Sequence, residues 1–232
     1  MKTFCVIPAY NEEKNIFTTI SQVLPRVDFL VIVDDCSRDQ TYEQSCRILN
    51  SENISSELKN KLKILRHPIN LGQGASLQTG NEYALKNEAD IIIHFDADGQ
   101  FLAEEIEKVI NPIKQGKADI VFGSRFLDIK SEIPSFKKNI IMPLAKLFNL
   151  IFFGIKTSDP QSGFRAMTKE VTQKIKIENN RMAHCTEILA KAHKYKFRIA
   201  EVPITVVYKK FGQKFSGGFK IIKDLFFRKI SG

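Results

Sequence analysis

The sequence predicts an α/β protein built around a mainly parallel sheet. Short apolar runs recur at residues 4–7, 29–33, 62–65, 91–95 and 120–122, each the length of a strand buried on both faces. Helix-length segments separate them, and one sets Ile106, Val109, Ile110 and Ile113 on a single face at helical spacing. Strand–helix alternation of this kind implies right-handed crossovers between parallel strands. Ligands of such sheets bind beyond the carboxyl ends of the strands. The residues just past each strand are therefore the informative part of the sequence.

The first run leads into Pro8-Ala9-Tyr10-Asn11-Glu12 and the second into Asp34-Asp35-Cys36-Ser37-Arg38-Asp39. Adjacent like charges are costly unless solvated, paired or hydrogen-bonded, so Asp35 is read as accepting hydrogen bonds from a base or ribose. Asp39 is read as the cap of the following helix. The third run leads into Asn70-Leu71-Gly72-Gln73-Gly74. This lacks the third glycine of a dinucleotide fingerprint and the Gly-Lys-Ser/Thr of a P-loop. It reads as a turn entering a helix whose glycines permit close backbone approach, with Gly80 marking tight helix packing.

The fourth run ends in Asp96-Ala97-Asp98-Gly99-Gln100. Alternate residues of an extended chain face the same way, so both carboxylates can reach one cation. Two hard oxygen ligands suit Mg²⁺ or Mn²⁺, which usually also bind substrate phosphates, and Gln100 could add a carbonyl oxygen. The competing reading is a solvated Asp-Gly turn. The fifth run ends in Gly123-Ser124-Arg125, where a guanidinium offers a bidentate fork for a phosphate.

Composition bounds the partners. The chain has 232 residues, 43% of them hydrophobic and 26% charged. That suits one domain with a sizeable core and excludes a disordered chain. A net charge of +9 favours anionic partners without choosing among them. No nucleic-acid module is present, and a nucleic-acid partner is not expected. The four cysteines form no Cys-x-x-Cys pair and read as buried free thiols of a reducing compartment. His94 lies in a strand, His67 ends one, and His184 and His193 lie on a predicted helix; core or surface roles are expected for them rather than metal ligation. Met1 runs almost directly into a strand, so no signal peptide is expected.

Taken together, the motifs resemble family 2 glycosyltransferases of the dolichyl- or polyprenyl-phosphate mannose or glucose synthase branch. Beyond those above, the stretches Asp159-Pro160-Gln161-Ser162-Gly163-Phe164-Arg165 and Glu201-Val202-Pro203-Ile204 carry the resemblance. It covers nearly the whole chain, and it implies a single GT-A (Rossmann-like) domain over 1–232. Residues 1–100 would then bind the nucleotide-sugar and 101–232 would form the acceptor half. It further implies an inverting transfer of a hexose from a donor of the GDP-mannose or UDP-glucose type to a polyprenyl or dolichyl phosphate. Carried over by position, Pro8, Tyr10, Glu12 and Asp35 would hold the nucleoside. Asp96, Asp98 and Gln100 would hold the metal and diphosphate, Arg125 the acceptor phosphate, and Asp159 and Arg165 would line the site. A basic segment, 208–214 with Lys214, would close over the donor; it has Lys where Arg is common and Gln-Lys where Ser-Lys is common.

A phosphate acceptor is also favoured by chemistry. A hydroxyl acceptor needs a general base, whereas a phosphate monoester, with a second pKa of about 6, is already anionic. It needs positioning, which Arg125 with Lys137 or Lys138 would supply. Asp159 is open to two readings, an orienting or acid–base group and a structural one. As a base it would favour a glycan hydroxyl acceptor, the alternative transferase; a non-catalytic nucleotide-sugar-binding protein is the other alternative. Glu187, on a predicted helix, is a weaker site candidate.

Two stretches bear on membranes. Residues 140–155 are apolar but shorter than the roughly 20 residues of a span. Residues 219–229 set Phe219, Ile222, Leu225 and Phe226 on one face amid Lys220, Lys223, Arg228 and Lys229. Each is either a packed helix or an interfacial helix on an acidic membrane surface. The second reading implies peripheral attachment at the cytoplasmic face.

Overall fold

The computed structural model describes residues 1–52, 54–127, 157–181 and 183–207. Seven strands form one sheet: β1 Thr3–Ala9, β2 Phe29–Asp34, β3 Leu62–Arg66, β4 Ile91–His94, β5 Ile120–Ser124, β6 Arg165–Thr168 and β7 Ile199–Pro203, in the order β3-β2-β1-β4-β6-β5-β7. The helices are α1 Ile16–Val23, α2 Thr41–Asn50, α3 Ser56–Asn60, α4 Gln73–Lys86, α5 Ile106–Lys114, α6 Lys169–Lys174 and α7 His184–Lys194. All five strands expected from the apolar runs are present. The sheet is parallel except for β6, which runs antiparallel to both β4 and β5.

The strands are apolar on both faces because helices cover both. Cys5, Ile7 and Ile93 pack with Ile16 and Ile20 of α1, Ile48 of α2 and Val109 of α5. On the other face, Phe4, Val6 and Ile92 pack with Leu77 of α4, Val171 of α6 and Ile188 of α7. The face predicted for α5 is buried, with Ile106, Val109, Ile110 and Ile113 all inward. Asp39 Oδ1 accepts the amide of Thr41, the first residue of α2, at 3.0 Å, which satisfies one otherwise orphaned donor as expected.

Two features of this topology position the site. The strand order reverses between β1 and β4, so the loops leaving those strands diverge and open a crevice at the carboxyl edge. In addition, β6 runs the opposite way, with Arg165 at its start paired to His94 at the end of β4. The residues before β6, not those after it, therefore lie at the active edge.

Gly80 of α4 rests on β1, and a Cβ there would stand 2.1 Å from Val6 Cγ1. Val6 is fully buried and stiff at χ1. Gly80→Ala would gain about 1 kcal/mol of helix propensity but incur about 1–3 kcal/mol of overpacking. A fall in Tm of a few degrees is expected by thermal melting. An unchanged or higher Tm would mean that Val6 yields without cost.

Candidate active site

The loops after β1 and β2 interlock through backbone amides. Asn11 and Cys36 take positive φ values of 56° and 59°. The Asn11 amide donates to Ser37 Oγ at 3.0 Å, and the Arg38 amide donates to Asn11 Oδ1 at 2.9 Å. Of the expected nucleoside-binding residues, Tyr10 stands at the mouth, 40% exposed, while Pro8 is buried within β1. Glu12 is half-buried, and burial above all, then the charges of Asp98 and Asp39, push its pKa up against a hydrogen bond from Asn15. The Thr19 hydroxyl of α1, which follows the β1 loop, donates to Ala97 O of the β4 loop at 3.2 Å, tying the two loops together.

Asp35 is placed differently from the expectation that it meets a base or ribose. It is 2% exposed. Its Oδ1 accepts the Leu71 amide at 2.9 Å and lies 2.8 Å from His67 Nδ1, and its Oδ2 accepts the Gly72 amide at 2.6 Å. The carboxylate thus shapes the loop after β3. Of the free thiols expected to be buried, Cys5 and Cys185 are, while Cys36 and Cys46 are only half-buried.

The Gly72–Gly74 turn behaves as its glycines predict. Gly72 has φ 102° and precedes α4. A Cβ on Gly72 would stand 2.2 Å from Asn180 O, and one on Gly74 2.0 Å from Asn179 O. The Gly74 amide donates to Asn180 O at 2.9 Å. Glu187 holds that facing loop in place: its carboxylate accepts the amides of Glu178 at 3.0 Å and Asn179 at 2.8 Å and pairs with Lys191 at 2.7 Å. Burial opposes ionisation of Glu187, but Lys191 and these amides outweigh it and lower its pKa. Glu187 thus acts as a clamp on that loop.

Asp96 and Asp98 follow β4 at the crevice, both partly exposed. Asp96 Oδ1 accepts from Gln73 Nε2 at 3.0 Å, and Asp98 Oδ1 accepts the Gln100 amide at 3.0 Å. Gln100's backbone carbonyl accepts the Val207 amide at 2.9 Å, which uses one of its two lone pairs. Burial first, and then the charge of Asp98, push the Asp96 pKa up to about 7. A carboxylate held this way gains from a divalent cation, which favours the ionised form. Among the described residues no group of three His, Cys, Asp or Glu side chains could hold a metal. Asp96 and Asp98 would leave the remaining positions to phosphate oxygens and water, as Mg²⁺ and Mn²⁺ commonly allow. Beneath them, Phe95 packs edge-on against Phe101 and Phe164, with centroids 5.6 and 5.0 Å apart, a rigid aromatic floor.

Arg125 follows β5 and is gripped by Asp159. Its Nε and Nη2 donate to the two carboxylate oxygens at 2.6 and 2.7 Å, and its amide donates to Oδ2 at 3.2 Å. The Asp159 side chain is 0% exposed and that of Arg125 24%. Glu201 of β7 fixes the preceding turn by accepting the Ser158 amide at 2.9 Å and the Thr157 hydroxyl at 2.8 Å. This placement favours the orienting reading of Asp159 over a base that must reach solvent-borne substrate.

Arg165 does not line the crevice as expected. It is 0% exposed, with Nη2 donating to Cys185 Sγ at 3.1 Å and Nη1 without a hydrogen-bond partner among the described residues. It packs inward, between the sheet and α7. Burial alone would raise the Cys185 thiol, yet His184 and Arg165 bring it down to about 6. Arg165 also favours the ionised form of Asp96 from behind.

Lys137, Lys138, Lys214 and the stretches 140–155, 208–214 and 219–229 lie outside the described residues. Among the described residues no helix is long and apolar enough to cross a membrane. Sequence reasoning missed the roles of Gln73, Gly163 and Glu201, while His67 takes the core role expected of it, bonded to Asp35 and Thr79. Gln73 and Gly163 sit inside motifs that stand out for other residues, and Glu201 stands out only as part of a matching stretch.

The family model for glycosyl transferase family 2 matches residues 4–176. A UDP-N-acetylglucosamine–dolichyl-phosphate N-acetylglucosaminyltransferase of Methanococcus voltae is 34% identical over 98% of this chain and 96% of that protein. A dolichol-phosphate mannosyltransferase of Pyrococcus furiosus is 32% identical over 88% of this chain, which spans 56% of that longer protein. Among solved structures, glucosyl-3-phosphoglycerate synthase from Mycobacterium tuberculosis in complex with Mn²⁺, uridine-diphosphate and phosphoglyceric acid superposes with a TM-score of 0.73 at 17% identity, over 98% of this chain and 78% of that one. That likeness shows the GT-A fold. With its parallel sheet, crevice and paired aspartates, the chain belongs to glycosyl transferase family 2 and is a glycosyltransferase.

Proposed function

We propose that the chain transfers a sugar from a nucleotide-sugar, in the presence of Mg²⁺ or Mn²⁺, to a polyprenyl or dolichyl phosphate at the cytoplasmic surface of an acidic membrane. The observation that carries this reading is the Arg125–Asp159 pair. The one carboxylate considered as a base for a hydroxyl acceptor is spent on a guanidinium, and that guanidinium keeps partial exposure at the carboxyl edge. With its Nε and Nη2 edge taken by Asp159, the guanidinium would meet an anionic acceptor through its remaining N–H groups, as a charged donor rather than through the bidentate fork. The activities that name the Methanococcus and Pyrococcus relatives, both on dolichyl phosphate, support the same acceptor.

In this reading an acceptor phosphate oxygen bonds to the anomeric carbon as the bond from that carbon to the nucleoside diphosphate breaks, inverting the centre. Arg125 would hold the phosphate in line, with Lys137 or Lys138 near it. Tyr10 and Glu12 would meet the nucleoside, and the Asp35-shaped loop would wall it. Asp96, Asp98 and Gln100 would hold the cation, which supplies Lewis-acid stabilisation of the departing diphosphate. Crystallisation of the structural neighbour with Mn²⁺ and uridine-diphosphate supports such a site. Lys214 would close over the donor.

The test is transfer of radiolabelled sugar from UDP-N-acetylglucosamine, UDP-glucose and GDP-mannose to dolichyl or undecaprenyl phosphate in anionic vesicles. Label should enter the lipid with one donor and only with Mg²⁺ or Mn²⁺. Label entering only a glycan hydroxyl acceptor would overturn the lipid reading.

A further inference from the structure

We infer that Gln73 is a positioning residue that fixes the rotamer of Asp96 for the cation and diphosphate, with Gly163 as the opposite wall of the same cradle. This rests on the reading of Asp96 as a metal ligand.

The geometry is specific. Gln73 Nε2 donates to Asp96 Oδ1 at 3.0 Å. On the other side, a Cβ on Gly163 would stand 2.3 Å from Asp96 Oδ2 and 2.8 Å from its Cγ, so the carboxylate lies flat against a residue that can carry no side chain. Gln73 is itself held on both sides. The amide before it, on Gly72, donates to Asp35 Oδ2 at 2.6 Å. The amide after it, on Gly74, donates to Asn180 O at 2.9 Å, in the loop that Glu187 clamps. These bonds fix the backbone at Gln73, the first residue of α4, and so set the point from which its side chain reaches Asp96. The loop that Asp35 shapes is thereby tied mechanically to the carboxylate after β4.

The chemistry of the donor matters as much as its place. A neutral amide orients Asp96 and leaves its charge for a cation, whereas an ammonium or guanidinium there would neutralise it. Partners that orient a ligating side chain commonly carry a roughly 10–100-fold share of metal affinity.

The test compares the wild-type chain with Gln73→Met, which keeps the length and loses the donor. Mn²⁺ binding is measured by electron paramagnetic resonance in the presence of UDP and of GDP. Metal-free binding of the same nucleotides and the Tm are measured alongside. The expected result is an approximately 10–100-fold weaker Mn²⁺ affinity, with metal-free nucleotide binding and Tm nearly unchanged. Gln73→Asn keeps the amide but is one methylene too short, and it should read the same way if the Met variant folds poorly. Wild-type Mn²⁺ affinity in both variants would overturn the role of Gln73 and leave Asp96 as a ligand. A parallel loss of metal-free nucleotide binding and Tm would mark a purely structural role and overturn it too. Failure of the wild-type chain to bind Mn²⁺ with either nucleotide would instead overturn the metal reading of Asp96, and the inference with it.

Discussion

Asp98→Ala should abolish metal-dependent sugar transfer, by about 10³-fold or more, at the upper end of what losing one preorganised electrostatic contact costs, while the fold persists. The side chain is partly exposed at the mouth of the crevice, so its loss opens no core cavity. Its removal takes away one of two carboxylates able to meet a cation. It also takes away a charge that helps push Asp96 up to about 7. Mn²⁺ with nucleoside diphosphate should raise the Tm of the wild-type chain and not of the variant. Linkage supplies a second readout. Asp96 titrates near 7 in the fold against about 3.9 unfolded, so the folded state binds more protons between about pH 4 and 7. Without metal, stability contributed by that group falls as pH rises through this window. In Asp98→Ala the fall should be shallower, because one of the charges that raise Asp96 is gone. The two Tm–pH curves are compared with chelator present, and the loss of Asp98 also relaxes Glu12, whose pKa it raises. Transfer that survives in the chelator-treated variant would sink the metal assignment.

Much of this site was legible in residue types because strand ends concentrate it. Runs such as 29–33 and 91–95 have the length and composition of buried strands, and in a parallel sheet the polar residues just past them gather at one edge. Gly72, Gly74 and Gly80 announced close approach, and each meets a neighbour that a Cβ would strike. The rest was hidden for definite reasons. β6 reverses direction, so a search confined to the carboxyl ends of strands misses Asp159 to Phe164, which precede it. β7 is a half-buried strand on the sheet's edge, interrupted by Glu201, with no clean alternation to mark it. Arg165 reads through the resemblance as an arginine lining the donor site, since burying a guanidinium without a hydrogen-bonded carboxylate is costly, yet the sheet pairing of His94 with Arg165 turns it inward. Asp35 shows the converse: a carboxylate typical of ligand binding accepts amides of a loop that sequence cannot fold back onto it.

Asp159→Ala should lower stability by about 2–3 kcal/mol and raise the acceptor requirement without changing the donor requirement. Removing one partner of a buried pair costs about 3–5 kcal/mol. The remaining charge here keeps 24% exposure, so water recovers part of that cost. For a chain of this length the loss corresponds to a Tm lower by about 4–12 °C. The functional effect separates two chemistries. If Asp159 orients Arg125, acceptor KM rises in Asp159→Ala, and Arg125→Ala raises it at least as much. The double variant should then be no worse than Arg125→Ala alone, because both changes remove the same interaction. If Asp159 is instead a general base, kcat falls about 10²–10⁴-fold at saturating acceptor. The double variant then loses the base and the phosphate anchor separately, and the effects multiply. The geometry favours the first outcome, because both carboxylate oxygens already face the guanidinium at 2.6 and 2.7 Å. A multiplicative cycle would move the acceptor from a phosphate to a hydroxyl, since only a hydroxyl must surrender a proton as it attacks.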